Sequence, residues 1–287
     1  MVSRLKEAFS FGTDLWDPSQ RFETSWLLSP WLLFICRAII GTYALTTRLF
    51  IIGWTCTHED EGGCRDARES FSYFTVLTYW GLAFYFIVSA LHTLTYALRT
   101  RPLLDRLPRP LQALHSLFYT TIIAYPFLVS IVYWGVIYGG GWYPHAFSAW
   151  SNISQHGLNS AFALFEILIP RTNPPPFVHI PWLILILAGY LSVAYITKAT
   201  QGFYTYSFLD YKAAHGRGYV AAYIIGIAAG IVIVFLIVRC LVWVRRWFTE
   251  KKLGKDGKFA RQRDWSNDAE MNTIGQKYPD VRVSGET

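Results

Sequence analysis

The sequence predicts an all-α integral membrane protein, a polytopic bundle of about six transmembrane helices with the N- and C-termini in the cytoplasm. Three observations predict this fold class. Of the 287 residues, 53% are hydrophobic and 16% are charged, whereas ordinary soluble domains are about 25% charged. The apolar residues form blocks near the roughly 20 residues that a helix needs to cross a bilayer. The Lys and Arg residues outside the blocks cluster in two places, which fixes the orientation.

Six apolar blocks divide the chain into a transmembrane domain and two flanking segments. The predicted spans cover residues 31–53, 72–97, 112–137, 153–170, 178–198 and 218–243. An amphipathic lead-in, residues 1–29, precedes the transmembrane domain, residues 30–243, and a basic, partly disordered cytoplasmic tail, residues 244–287, follows it. The lead-in contains no apolar run of the kind that a cleavable signal peptide requires. We therefore expect a multi-pass protein of the endoplasmic reticulum or the plasma membrane.

The basic residues orient the bundle. The two basic segments are the connection at 99–109 and the tail after Arg245. Cytoplasmic segments of membrane proteins are enriched in Lys and Arg, so both basic segments are predicted to be cytoplasmic. The connections at 54–70, 139–152 and 199–217 then face the lumen or the cell exterior. This topology accounts for the net charge of +7, and nucleic acid is not an expected partner; membrane lipids are.

Cys56 and Cys64 flank a short stretch of the first lumenal connection. If that connection faces an oxidising compartment, the two cysteines are expected to form a disulfide. With His58 they would make an incomplete ligand set for a metal ion. We therefore predict no metal site there, and no cofactor elsewhere in the chain.

Two charges lie deep in the predicted spans. Arg37 is in the first span, and Glu166 is in the fourth, at a comparable depth. An unpaired charge inside a bilayer is costly. The sequence therefore predicts a structural ion pair between Arg37 and Glu166.

A second group of polar side chains is predicted at one level near the lumenal boundary. A helix rises about 1.5 Å per residue, so residues at matching distances from a lumenal helix end share a depth. The group comprises Arg48, Thr75, Thr78, His156, Asn159 and Lys198. It brings together hydroxyls, an imidazole, an amide and two cations.

This combination is typical of acyl transfer, because an imidazole takes the proton of a hydroxyl nucleophile at neutral pH. Asn159, and with it Thr78, would orient the imidazole or donate to an oxyanion. Arg48 or Lys198 would bind a substrate carboxylate. The structural alternatives are that each Thr bonds to a carbonyl of its own helix and that His156 only joins two helices. His92 and His115, near the cytoplasmic ends of their spans, are expected to be structural.

Three short segments resemble a known family. Residues 73–80 (YFTVLTYW), residues 156–160 (HGLNS) followed by Glu166, and residues 206–210 (YSFLD) are similar to the androgen-induced-gene-like membrane proteins and the related rolling-stone-like proteins. The resemblance implies a multi-pass threonine hydrolase that cleaves fatty acid esters of hydroxy fatty acids. It places the nucleophile on Thr75 and the catalytic histidine on His156.

The sequence thus favours a membrane-embedded lipid ester hydrolase without cofactors, whose partners are membrane lipids and a lipid ester substrate. A non-catalytic multi-pass protein is the alternative, such as a rolling-stone-like fusion or signalling factor or a small transporter. A transporter is expected to have broken helices near the middle of the membrane, and Pro126 is the one candidate break that the sequence offers.

Overall fold

The structure, a computed structural model, describes residues 16–255, and within this range the chain is built from helices joined by turns and loops. The helices are α1 (Pro30–Thr57), α2 (Gly63–Glu69), α3 (Phe74–Arg99), α4 (Arg109–Val132), α5 (Ala146–Ile153), α6 (Asn159–Leu168), α7 (His179–Gln201) and α8 (Arg217–Arg246). Three π-helical turns, Tyr133–Ile137, Ser154–Leu158 and Trp247–Lys252, follow α4, α5 and α8. Within the described range the β-structure is limited to one bridge between Ser25 and Pro170. The predicted all-α fold class is confirmed.

Five helices are long and apolar enough to cross a membrane. They are Pro30–Thr57, Phe74–Arg99, Arg109–Ile137, His179–Gln201 and Arg217–Lys252, and they correspond to the first, second, third, fifth and sixth predicted spans. Large apolar side chains remain exposed on them, such as Ile39, Leu185 and Ile225. An apolar outer surface is expected of helices that face lipid. The chain therefore has the architecture of a multi-pass membrane protein.

The predicted fourth span differs from the other five. Its helical region begins at Ala146 instead of residue 153, and it consists of pieces of 8, 5 and 10 residues. The early start has a packing reason, because the rings of Phe147 and Trp150 contact Phe50 of α1. From there the region 146–168 runs antiparallel along α1. Successive contacts along this seam join Arg48 to Gln155, Tyr43 to Ser154 and Arg37 to Glu166.

The centre of the bundle is formed mainly by α3, α4 and α8, whose buried side chains include Phe86, Ile123 and Phe235. Helix α1 packs closely against α3 at Gly41. A Cβ atom added to Gly41 would lie 3.0 Å from the backbone nitrogen of Ile87, so a larger side chain would push the two helices apart.

The segments at the ends of the bundle differ from the prediction in their bounds. Helix α8 continues past residue 243, and its last turn carries Arg245 and Arg246, whose side chains bond to neighbouring groups. Residues 16–29 form turns, and Arg21 pairs with Glu250 across the basic end of the bundle. The rest of the predicted lead-in, residues 1–15, and the predicted disordered tail from 256 onward lie outside the described residues.

The predicted ion pair lies in the interior of the bundle. Arg37 Nε and Nη2 each donate to one oxygen of Glu166 at 2.8 Å, and the two side chains are 1% and 0% exposed. Arg37 Nη1 also donates to the Phe22 carbonyl and to Thr93 Oγ1, and the Tyr85 hydroxyl donates to Glu166. The pair thus connects α1, α3, α6 and the segment before α1.

Removing one partner of this pair is expected to destabilise the protein strongly. Arg37→Met or Glu166→Met leaves the opposite charge buried and uncompensated, which costs about 3–5 kcal/mol. Thermal melting in a neutral detergent measures the effect. The double variant Arg37→Met/Glu166→Met is expected to recover a large part of the loss, because it leaves no unpaired charge. A double variant as unstable as the sum of the single variants would contradict this.

Candidate functional site

His156 lies at the point where the region 146–168 departs from regular α-helix. It belongs to the π-turn Ser154–Leu158, and π-turns inside helices are frequent at functional sites. The imidazole is buried, and its Nδ1 has no hydrogen-bond partner. Three residues that follow His156 along the same region, Asn159, Ala163 and Glu166, are also inaccessible.

The imidazole of His156 stacks on a tyrosine from a second π-turn. The rings of His156 and Tyr133 lie 3.5 Å apart between centroids with an interplanar angle of 3°, and Tyr133 begins the turn Tyr133–Ile137. The backbone carbonyl of His156 accepts hydrogen bonds from Ser130 Oγ and, at 3.0 Å, from Trp134 Nε1. The end of α4 therefore holds both the ring and the backbone of His156.

Thr75 lies in the wall of an apolar cavity of about 240 Å³ between α3, α4, α7, α8 and the turn before α8. Other residues in this wall include Phe74, Val132, Tyr133, Tyr190, Tyr206 and Ile227. The Tyr206 hydroxyl accepts a hydrogen bond from the backbone N–H of Phe74 at 3.1 Å. Burial raises the pKa of Tyr206, and hydrogen bonding to Thr75 opposes that rise. A short acyl chain is the kind of group that such a cavity accommodates.

Tyr133 connects the cavity to His156, because its ring lines the cavity and also stacks on the imidazole. Among the described residues no hydrogen bond joins Thr75 to His156. Both residues are near the same end of the bundle, as predicted, but the Tyr133 ring covers the imidazole.

Three further residues of the predicted group have other partners. Thr78 Oγ1 donates to the carbonyls of Phe74 and Thr75 at 2.9 and 3.0 Å, which is the structural alternative for a Thr in a membrane helix. Asn159 Oδ1 accepts from Ser130 Oγ at 3.3 Å and does not bond to the His156 imidazole.

Lys198 Nζ donates to the Gly202 carbonyl at 2.8 Å and lies over the Tyr204 ring. It therefore caps the end of its own helix, where the carbonyls attract a cation.

Arg48 lies beside the His156 turn. Its Nη1 donates to Gln155 Oε1 at 2.7 Å, its Nη2 donates to Ser70 Oγ at 3.4 Å, and the side chain is 1% exposed. Its Nε has no hydrogen-bond partner. The buried hydroxyls of Thr47 and Tyr79 lie near each other and have no other partner. Tyr79 lies one turn after Thr75 on α3, within electrostatic reach of Arg48. Buried polar groups are normally satisfied, so this cluster has unused capacity to bind a polar group.

The remaining predictions concern cysteines and metals. Cys56 and Cys64 form a disulfide, as predicted for a connection that faces an oxidising compartment. Within residues 16–255 no three His, Cys, Asp or Glu side chains are placed to hold a metal ion. The rings of His92 and His115 meet edge to face, with centroids 5.0 Å apart, deep between α3 and α4.

The sequence reasoning missed the residues that support His156. Tyr133, the first residue after α4, comes three residues after Ser130. In a continuous helix this spacing puts both side chains on one face, so it could have been read from the sequence. The π-turns carry no such signal. Gln155 stands next to His156, but its pairing with Arg48 depends on the register between two distant segments.

Comparisons with known proteins identify no relatives: no protein family, no curated protein and no solved structure matches this chain. A function must therefore be inferred from the site.

Ser130 is expected to stabilise the His156 turn. Ser130→Ala removes the donor to the His156 carbonyl and a 2.6 Å hydrogen bond to Ser160. Trp134 Nε1 still donates to the His156 carbonyl and Ser160 Oγ still donates to the Pro126 carbonyl, so the loss is that of a typical hydrogen bond, about 0.5–1.5 kcal/mol. Thermal melting in detergent is therefore expected to occur at a lower temperature. Ser192→Ala is the matched control, because its hydroxyl bonds only within α7 on an exposed face. Equal melting temperatures for the two variants would refute this role.

Proposed function

We propose that this protein is a membrane-embedded lipid ester hydrolase that uses Thr75 as nucleophile and His156 as general base. The position of Tyr133 carries the proposal. Its ring forms part of the apolar cavity that Thr75 lines and also covers a buried imidazole with a free nitrogen. An acyl chain in the cavity would thus contact Thr75 directly and would be separated from the His156 imidazole by the Tyr133 ring. The resemblance of three segments to androgen-induced-gene-like proteins is a second reason for the proposal.

In the proposed reaction, Thr75 Oγ attacks the ester carbonyl carbon while His156 accepts the hydroxyl proton. The tetrahedral intermediate collapses, the ester C–O bond breaks, and His156 returns the proton to the departing alkoxide. Water then attacks the acyl-Thr75 ester with His156 again as base, which releases the carboxylic acid and restores Thr75. Donors with free hydrogen-bonding capacity nearby, Arg48 Nε and Tyr79 OH, would stabilise negative charge on the substrate.

This reaction requires one rearrangement. The Tyr133 ring must move off the imidazole before His156 can reach the Thr75 hydroxyl directly or through a water. Tyr133 is the first residue of a π-turn, and such turns are local departures from the stable helix geometry. Substrate entering the cavity is expected to displace the ring.

A fluorophosphonate probe tests the proposal, because it labels activated hydroxyl nucleophiles covalently. The purified protein is expected to be labelled, and Thr75→Ala and His156→Ala are each expected to lose at least nine-tenths of the labelling, since removal of an activating base costs several orders of magnitude in rate. Thr78→Ala is the matched control. It removes a hydroxyl from the same helix, but one that is occupied by two carbonyls.

Labelling that is lost in Thr78→Ala and kept in Thr75→Ala would reject the nucleophile assignment. If the protein with intact fold takes up no probe and cleaves no long-chain ester, the non-catalytic alternative is favoured instead. Intact mass after labelling, together with the melting temperature of each variant, separates loss of chemistry from loss of fold.

We further propose that the region 146–168 is a sixth span and that both termini are cytoplasmic. Two observations support this. The region runs antiparallel along α1, and its end meets the segment before α1, where Ser25 Oγ donates to the Ile169 carbonyl at 2.7 Å. The basic connection at 99–109 lies at that same end, because Gln20 bonds to Thr100. The disulfide lies near the opposite end of α1, in keeping with a lumenal side.

Glycosylation mapping tests this topology. A glycosylation acceptor in a flexible spacer after Gly140 is expected to be modified in cells, and the same spacer after Asn173 is not. If residues 146–168 do not cross the membrane, the two positions are on one side and are modified alike. The gel shift before and after removal of glycans is the measurement.

A further inference from the structure

Arg245, in the last turn of α8, is a buried cation without an acidic partner among residues 16–255. Its side chain is 6% exposed, and Nη2 donates to the backbone carbonyl of Thr172 and, at 3.4 Å, to Thr172 Oγ1. Its Nε and Nη1 are buried and have no hydrogen-bond partner. A guanidinium has five N–H donors, so more than half of this group's capacity is unused.

The surroundings of Arg245 raise the cost of its charge. Arg21 and Arg171 are close enough to repel it. The nearby carboxylate, Glu250, accepts two bonds from Arg21 at 2.6 and 2.9 Å and one from Arg246 at 3.2 Å. This carboxylate is therefore engaged by other guanidinium groups. A buried, unpaired cation among like charges is stabilised most directly by an anion.

We propose that Arg245, with Arg246 and Arg171 beside it, binds a phosphate monoester anion at this end of the bundle, and that the anion is the headgroup of a membrane phospholipid. Guanidinium groups match phosphate oxygens in geometry and charge. Asn173 holds Arg246 through a 3.1 Å hydrogen bond from Nη1 to Oδ1, so the rim of the site is ordered by the loop after α6.

The location favours a lipid as the source of the phosphate. Arg245 is at the end of a candidate membrane span, and basic pockets between helices at the cytoplasmic side commonly bind anionic headgroups. Aromatic side chains near the site suit the headgroup level of a bilayer. Lys252 lies over the Trp247 ring, and Lys255 lies over the Trp26 ring. The choice of a lipid headgroup rests on the proposed cytoplasmic location of this end, whereas the proposed hydrolase activity plays no part in it.

The test compares melting temperatures of the full-length protein in a neutral detergent with added phosphatidic acid, phosphatidylcholine or inorganic phosphate. Phosphatidic acid is expected to raise the melting temperature of the wild type by about 3 °C or more relative to phosphatidylcholine, because a ligand stabilises the state that binds it. Arg245→Gln is expected to lose this increase. Without added lipid it should melt no lower than the wild type, since it removes a repelled charge.

Arg239→Gln is the matched control. It removes the same charge from the same helix, but Arg239 already bonds to the Pro175 carbonyl and lies over the Phe177 ring, so its response to phosphatidic acid should remain. If Arg245→Gln does not fold, Arg245→Lys is the second variant. It keeps the positive charge but lacks the planar guanidinium group, so phosphatidic acid should raise its melting temperature less than that of the wild type.

Equal responses of the Arg239 and Arg245 variants would overturn the site, as would equal effects of the two lipids on the wild type. If inorganic phosphate alone reproduces the increase, and Arg245→Gln abolishes it, the site is supported and the anion comes from solution instead of the bilayer.

Discussion

The bidentate pair between Arg37 and Glu166 is the interaction on which the arrangement of this bundle depends. Both charges are buried, where desolvation is costly, so each can stay ionised only if it pairs with the other in good hydrogen-bonding geometry. The pairing of Arg37 with Glu166 fixes the register of the region 146–168 against α1. Because a helix advances about 1.5 Å per residue, the register then places Gln155 beside Arg48 and leaves His156 facing α4. The pair also holds the Phe22 carbonyl, which draws the segment before α1 under the bundle.

The two ends of the bundle are chemically different, and each contains buried polar atoms without partners. The charges and hydroxyl around Glu166, between these ends, are satisfied. At the basic end the unsatisfied atoms of Arg245 are donors, which suits an anion. At the disulfide end Arg48 Nε, the Tyr79 hydroxyl and His156 Nδ1 combine donors with an acceptor, which suits a neutral group that develops charge. Buried polar atoms without hydrogen-bond partners are expected at functional sites.

The features that the sequence predicted correctly are those governed by the cost of exposing polar groups to lipid. The positions of five spans and the pairing of Arg37 with Glu166 both rest on that cost. The start of the fourth helical region at Ala146 was missed, because residues 139–152 contain glycines and aromatics typical of a loop. Their helical state depends on packing of Phe147 and Trp150 against α1. Lys198 was predicted at the correct helix end, but its ammonium group bonds to the Gly202 carbonyl just after its own helix.

The π-turns could not be predicted, because one extra residue in a helical turn leaves no recognisable change in the pattern of apolar and polar residues. Their consequence is nevertheless specific. Tyr133 stacks flat on His156 and covers the imidazole, whose Nδ1 has no hydrogen-bond partner. In the proposed reaction the ring would have to move before His156 could reach Thr75. Both stacked residues are on π-helical turns, which depart from regular α-helix geometry. Under the proposed function, these irregular turns lie between the Thr75 cavity and His156, on the path that a lipid ester would take toward the imidazole.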